Sequence, residues 1–284
     1  MNNLKNSIMK YIFFILSITI ITAQEKKNKI DDGPTMEQML EAYYTAFPED
    51  RGISPQDTEV WEPEPKIVTP GISNLAPSDA IVLFDGSSLS KWKNSPTGKD
   101  ADWIINNDGS MTVKVDGGIE TKEEFGSVQF HMEWKTPTKM EGKGQGRGNS
   151  GITFQRRFEV QILDSYNNRT YSNGQAASIY KQHPPLVNSS KPPGEWQTYD
   201  IVFMEPKYNE KGEEIRAGTL TVFHNGVLVQ NNVKILGTTE FIGKPQKGRD
   251  KVSKYMPTRS LNKTIYIQDH GNPVSFRNIW LRKL

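Results

Sequence analysis

From about residue 79 onward, short runs of alternating apolar and polar residues are separated by Gly, Asn and Pro. The pattern predicts strands over 80–84, 110–115, 127–135, 151–155, 158–163, 197–204, 218–224, 227–230, 263–268 and 275–283. No long helical pattern competes, and many short strands with turn signals predict an all-β sandwich or closed antiparallel sheet in one domain, 79–284. Upstream, Met36, Met39, Leu40, Tyr43 and Tyr44 fall at helical spacings and predict a short amphipathic helix over 35–47. Six prolines between 48 and 78 exclude regular structure there, so 24–78 reads as an extension and not as a second domain. At the start, Lys5 and Lys10 precede the apolar run 11–21, and Thr22-Ala23-Gln24 follows. That order predicts a secretory signal peptide over 1–23, with a retained anchor as the alternative. The run is too short to span a bilayer comfortably. The mature chain is expected to begin near Gln24, without a membrane span, and to be periplasmic or secreted.

Composition narrows the chemistry. The chain has no cysteine, which excludes disulfides, a thiol nucleophile, thiolate-bound zinc and iron–sulfur clusters. Its formal net charge of +2 comes from Lys5 and Lys10; from Gln24 onward acids and bases balance. A neutral body lacks the electrostatic footprint of a nucleic-acid binder. The stretch Gly142–Gly151 is rich in glycine but lacks the Lys-Ser/Thr ending of a phosphate loop. It is expected to be a flexible flap, or backbone forced close to a neighbour.

Strand parity then sorts the polar residues. In 127–135, Val128, Phe130, Met132 and Trp134 share one face, and Gln129, His131, Glu133 and Lys135 the other. In 158–163, Phe158, Val160 and Ile162 point inward, while Glu159 and Gln161 point outward together with Leu163. Glutamate is a poor strand former, so Glu159 there invites a functional reading beside that of a solvated face. Asp164 has core-side parity but sits where a bulge or turn can re-aim it. Tyr266 and Gln268 share a face, and His270 joins them if the strand continues. Of the four histidines, His131 and His270 are the better acid–base candidates. His224 precedes Asn225-Gly226, a hairpin signal, and reads as a turn neighbour. No paired-histidine metal motif occurs; a divalent metal held by Glu159, His131 and His270 across strands is left open by spacing. Arg156 can orient hydroxyls or carboxylates, and Trp196, Trp103 and Trp92 either stack on sugars or pack the core.

Several stretches together resemble the 3-keto-disaccharide hydrolase family: LFDGSSLSKWKN, GGIETKEEFGSVQFHMEWK, GNSGITFQRRFEVQILDSY, KPPGEWQTYDIVF, GTLTVFHNGVLVQNN and IQDHGNPVSFRNIWLRKL. The resemblance covers 79–284 and implies a concanavalin A-like jelly-roll β-sandwich. It also implies a carbohydrate substrate already oxidised at sugar C3. The C3 ketone acidifies the C2 proton; a base removes it, the C1 substituent is eliminated, and water adds back, for net hydrolysis. The oxidation would fall to a nicotinamide-dependent sugar 3-dehydrogenase as functional partner. The resemblance carries Glu159 and His270 as pocket residues, with Gln161, Asp164 and Gln268 nearby, and admits a divalent metal. Two other readings stand beside it: a non-catalytic carbohydrate-binding sandwich, and a conventional two-carboxylate glycoside hydrolase. The second is disfavoured because Gln161 stands where a middle acid would be expected.

Overall fold

The computed structural model describes residues 33–72, 75–254 and 261–284. The expected signal peptide and most of the polar arm after it lie outside the described residues. The chain divides into two compact units at 66/67. In the smaller, helix α1 (Met36–Ala46) begins at Thr35, whose hydroxyl accepts from Gln38 N at 3.3 Å while the Gln38 side chain accepts from Thr35 N at 2.9 Å. This reciprocal cap satisfies two of the helix's orphan donors and explains why the helix starts where the periodicity begins.

The larger unit is an antiparallel jelly-roll sandwich. Its strands are β1 (Ile81–Phe84), β2 (Trp92–Asn94), β3 (Ile104–Ile105), β4 (Met111–Thr112), β5 (Ile119–Thr121), β6 (Val128–Lys135), β7 (Ser150–Phe154), β8 (Phe158–Ile162), β9 (Gln197–Met204), β10 (Lys207–Tyr208), β11 (Glu214–Arg216), β12 (Thr219–His224), β13 (Val227–Lys234), β14 (Tyr266–Ile267) and β15 (Ser275–Lys283). One sheet runs β13-β12-β9-β6-β15-β4-β3, with β1 also paired to β15. The other runs β2-β5-β14-β7-β8. Their inner faces meet through Phe130, Phe154, Phe158 and Phe203, whose rings lie 4.9–5.8 Å apart in successive pairs. Tyr199 reaches across this core and donates its hydroxyl to the Gln161 carbonyl at 2.7 Å, tying the two layers. Burying each such ring contributes roughly 2–3 kcal/mol.

Most predicted strands are present, and the differences have local causes. The expected strand 263–268 shrinks to β14 because the Ile265 N–H is taken by the Thr121 hydroxyl at 3.0 Å and not by a ladder carbonyl. Strands β2, β3, β5, β10 and β11 fall outside the expected ranges, since two or three residues cannot display alternation. His224 is the other surprise. Asn225 and Gly226 do form the left-handed hairpin turn, with φ of 55° and 77°. The His224 ring, however, is buried between Trp134 and Tyr199, at 5.6 and 5.0 Å. Burial pushes its pKa down to about 3. The unfolded chain therefore takes up a proton on this group near pH 6.5 while the fold does not. Stability is expected to fall by about 1.4 kcal/mol per pH unit below 6.5 from this residue. Urea denaturation at pH 7 and pH 5 checks it: His224→Gln should show a shallower loss than the parent.

Candidate functional site

The site builds up on the outer face of the five-stranded sheet. The β7–β8 hairpin closes through Gln155 and Arg156, both left-handed, at φ 53° and 56°. Two non-glycine residues in that region cost about 1–2 kcal/mol each. The turn is held by Gln155 Nε2, which donates to Glu205 Oε2 at 2.7 Å, and by Arg157 Nη2, which donates to Gln155 Oε1 at 3.0 Å. The strained geometry lays the buried Arg156 guanidinium 4.0 Å above the Tyr266 ring, with its Nε 3.7 Å from Glu120 Oε2.

Register then fixes which side chains share the face. Thr153 of β7 is opposite both Glu159 of β8 and Tyr266 of β14, and Tyr266 is opposite Glu120 of β5. Glu120, Tyr266, Thr153 and Glu159 thus form one row across four strands. One pleat further on, Gly151 is opposite Gln161 and accepts the Gln268 N–H at 2.9 Å. The two distant segments carrying Glu159 and Gln161, and Tyr266 and Gln268, therefore lie on one shared face.

Glu159 is only 1% exposed. Its carboxylate folds over Gly151, where a Cβ would come within 2.5 Å of Oε1. The glycine of the GNSGI stretch is thus required by the acid above it. The Gln161 amide lies 3.1 Å from Glu159 Oε1, while Glu159 Oε2 has no hydrogen-bond partner among the described residues. Burial alone pushes this carboxyl up to about 8. A proton on Glu159 donates to the Gln161 carbonyl oxygen; an ionised Glu159 instead accepts from the Gln161 NH2. Amide orientation and protonation state are therefore coupled. Gln161 also lies 3.1 Å from both the Gln145 and Asn149 side chains. Asn149 N donates to Asn272 Oδ1 at 3.1 Å, which ties the glycine-rich segment to the turn after β14. Burial raises the Tyr266 phenol to about 12, so it remains a proton donor.

The glycine-rich segment is anchored and not a loose flap. Gly144 N donates to Asn168 Oδ1 at 2.8 Å, and Gln145 Nε2 to the Gly174 carbonyl at 2.7 Å. Gly148 has φ 58°, and a Cβ there would meet Thr136 at 2.8 Å. Close backbone approach is the reading that holds. Asp164 leaves β8 to meet Arg147, at 2.8 Å to Nε and 3.0 Å to Nη2. The pair borders a cavity of about 320 Å³ together with Gly271 and Asn272.

Two expected residues, His131 and Trp196, do not lie on this face. His131 is outward on β6, as parity required, but β6 belongs to the other sheet, so it lies on the opposite outer surface of the sandwich. There Nδ1 is 2.7 Å from Asp200 Oδ1, Nε2 is 3.3 Å from Asn278 Nδ2, and the ring stacks on Trp280 at 5.0 Å. Its partners are those of a structural network. Trp196 sits with it, packed against Lys135 and Arg277 at 4.5 and 4.1 Å; Trp92 and Trp103 are core. His270 is exposed in the segment after β14, next to Asp269, whose Oδ2 accepts from Gly117 N at 2.9 Å. A metal held by Glu159, His131 and His270 does not fit, since His131 and Glu159 are on opposite surfaces. Among the described residues no other set of three such donors converges. Sequence reasoning missed Glu120, whose three-residue strand gave no pattern, and the amides Gln145 and Asn149, which lie in a loop.

A curated 3-keto-disaccharide hydrolase from Bacteroides thetaiotaomicron is 27% identical over 255 residues, covering 72% of this chain and 78% of its own. A crystal structure of a Parabacteroides distasonis protein assigned as a glycosyl hydrolase aligns with a TM-score of 0.74 at 46% identity, covering 82% of this chain and 98% of its own. Residues 79–282 match the 3-keto-alpha-glucoside-1,2-lyase-like domain, and the chain belongs to that family of carbohydrate-active, hydrolase-type proteins.

Proposed function

We propose that this is an exported enzyme that cleaves 3-keto-glycosides by elimination and hydration, with Glu159 as its base. The observation that carries the reading is the Glu159 carboxyl: buried, with one oxygen unpartnered among the described residues, and raised to about 8. A structural carboxylate would be paired; a base for a carbon acid gains strength from desolvation. Glu159 takes the C2 proton, and the electrons pass to the C3 oxygen as an enolate. The enolate collapses to a C1=C2 double bond with the C3 ketone restored, and the C1–O bond breaks. The proton on Glu159 can return to the departing oxygen, and water then adds across C1=C2. The Tyr266 phenol and the Arg156 guanidinium are the donors suited to the enolate oxygen. Gln161, Gln268 and Asn149 are suited to sugar hydroxyls. A separate nicotinamide-dependent dehydrogenase would supply the ketone.

For two-carboxylate hydrolysis, neither Glu120 nor Asp164 is placed as the second acid. Glu120 is three strands from Glu159, about 14 Å at ordinary strand spacing, outside the separation either stereochemical course needs. It is also engaged by Thr264 Oγ1 at 2.7 Å and Lys93 Nζ at 3.5 Å. Asp164 is paired with Arg147. Purified protein given a 3-keto-glucoside and its unoxidised parent should cleave only the former, with solvent deuterium appearing at C2 of the product. Comparable release from the parent would favour direct hydrolysis; no release from either would favour a non-catalytic binder.

A further inference from the structure

We infer that Glu120 is a positioning residue for the enolate donors: it holds the Arg156 guanidinium over the Tyr266 phenol, and so keeps a cation beside the oxygen that becomes charged when the C2 proton leaves. The inference rests on the reading of Tyr266 and Arg156 as those donors and adds the residue that aims them.

Strand β5 and the glycine before it act on the phenol together. Glu120 is opposite Tyr266 of β14 on one side and Lys93 of β2 on the other. Two residues earlier, Gly118 leaves room for the phenol: a Cβ there would come within 2.5 Å of both the Tyr266 hydroxyl and the edge of its ring. Any larger residue would push the phenol out of place. The face of the same ring is covered by the Arg156 guanidinium at 4.0 Å, which the β7–β8 turn delivers from the left-handed conformation at φ 56°. The phenol thus has a glycine at its edge and a cation over its face.

Glu120 is what keeps the cation there. Its carboxylate is buried, and its two oxygens are divided between partners. Oε1 faces Lys93 Nζ at 3.5 Å; Oε2 accepts from Thr264 Oγ1 at 2.7 Å and faces Arg156 Nε at 3.7 Å. An arginine–carboxylate fork closes to about 2.8 Å. Here Thr264 holds Oε2, so the guanidinium is steered by charge without being drawn off the ring into a fork. Burial works against the charge on Arg156, and Glu120 is foremost among the groups that restore it. The cation in turn opposes the effect of burial on the Tyr266 phenol, where the charges of Glu159 and Asp269 act with burial. Lys93, Glu120 and Arg156 together carry one surplus positive charge. Fixed beside Tyr266, that charge stabilises an enolate oxygen without reorganising as the oxygen becomes negative. With Glu120 neutral, the buried guanidinium loses the anion that offsets its burial and is expected to turn away from the ring.

The test uses the full chain. The Tyr266 ring shifts the magnetic resonance signal of the Arg156 Nε–H, which Arg156→Lys identifies by its loss. Glu120→Gln should move that signal toward the position of solvated arginines, and Glu120→Asp, which keeps the charge, should retain most of the shift. On a 3-keto-glucoside, Glu120→Gln should lower kcat by about 10- to 100-fold and change KM by less than about twofold. In an Arg156→Met background the same replacement should cost nothing further, because its effect runs through the cation; a merely structural role would give losses that add. Thr264→Val removes the bond that aims Oε2 and keeps the charge. It should give smaller changes of the same kind, and it is the arm to read if Glu120→Gln does not fold. An unmoved Arg156 signal, additive losses, or a loss confined to KM overturns the positioning role. A signal that moves as expected in a protein whose parent does not cleave the 3-keto-glucoside leaves the positioning standing and rejects the elimination reading; cleavage by the parent with an unmoved signal does the reverse.

Discussion

Glu159→Gln is expected to yield a protein that is inactive and more stable than its parent. The carboxyl has its folded pKa near 8 against an ordinary value of 4.5, and burial is the cause. Below pH 4.5 the group is protonated in both states and costs nothing. As pH rises, the unfolded chain ionises while the folded one cannot, so stability is lost progressively up to about pH 8. At pH 7 the penalty is about 3 kcal/mol by linkage. Glutamine keeps the shape, can pair with the Gln161 amide, and never needs to ionise. Urea denaturation should therefore show a stability gain that is small at pH 5 and largest near pH 8. Activity moves the other way. Losing a general base costs about 10²–10⁴-fold, and the parent's kcat/KM should climb with pH through about 8 as the base ionises. A variant that lost stability, or still cleaved a 3-keto-glucoside at the parental rate, would remove Glu159 from the role given to it.

The same residue shows what could be read from sequence and what could not. Phe158, Val160 and Ile162 alternate cleanly, so the outward direction of Glu159 and Gln161 was legible, and the structure places both there. Parity, however, reports a face of one strand and says nothing of which sheet the strand enters. His131 was read as an acid–base candidate and Trp196 as stacking on sugar or packing the core, yet β6 and β9 sit in the other sheet from Glu159, and pairing partners decide that. The parity of His270 rested on extended backbone past Gln268, whereas β14 ends at Ile267 and His270 is exposed in the segment that follows. Glu120 was invisible because β5 is too short to alternate. The glycines were partly legible: their density announced a close approach, but only the placement of Glu159 over Gly151 shows what is being approached.

The tie between Arg147 and Asp164 should be as consequential for stability as Glu159 is for chemistry, and with the opposite sign. Both side chains are largely buried; Arg147 Nη2 donates to Asp164 Oδ1 at 3.0 Å, and Nε lies 2.8 Å from Oδ2 without a hydrogen bond. Removing one charge leaves the other stranded in low dielectric, which costs about 3–5 kcal/mol for a buried pair. Asp164→Asn is nearly isosteric, so packing is spared and the loss is electrostatic. Asp164 also receives the Tyr166 N–H at 3.2 Å, and its backbone N–H reaches the Arg147 and Gly148 carbonyls at 3.3 and 3.2 Å. The pair is therefore what pins the end of the glycine-rich segment to β8. Gln145 and Asn149, at the same end of that segment, contact Gln161. Loosening the pin should raise KM more than it lowers kcat, since the amides that hold the sugar move while Glu159 stays on its strand. The double replacement Arg147→Met with Asp164→Leu should recover most of the lost stability, because an apolar pair needs no counter-charge. It should not recover KM fully, because the directional bonds to Tyr166 and the loop are gone. Denaturation midpoints of the single and double variants, set beside their KM values, separate the two effects. A single variant as stable as the parent would mean that the charges are solvated and that something else holds the loop.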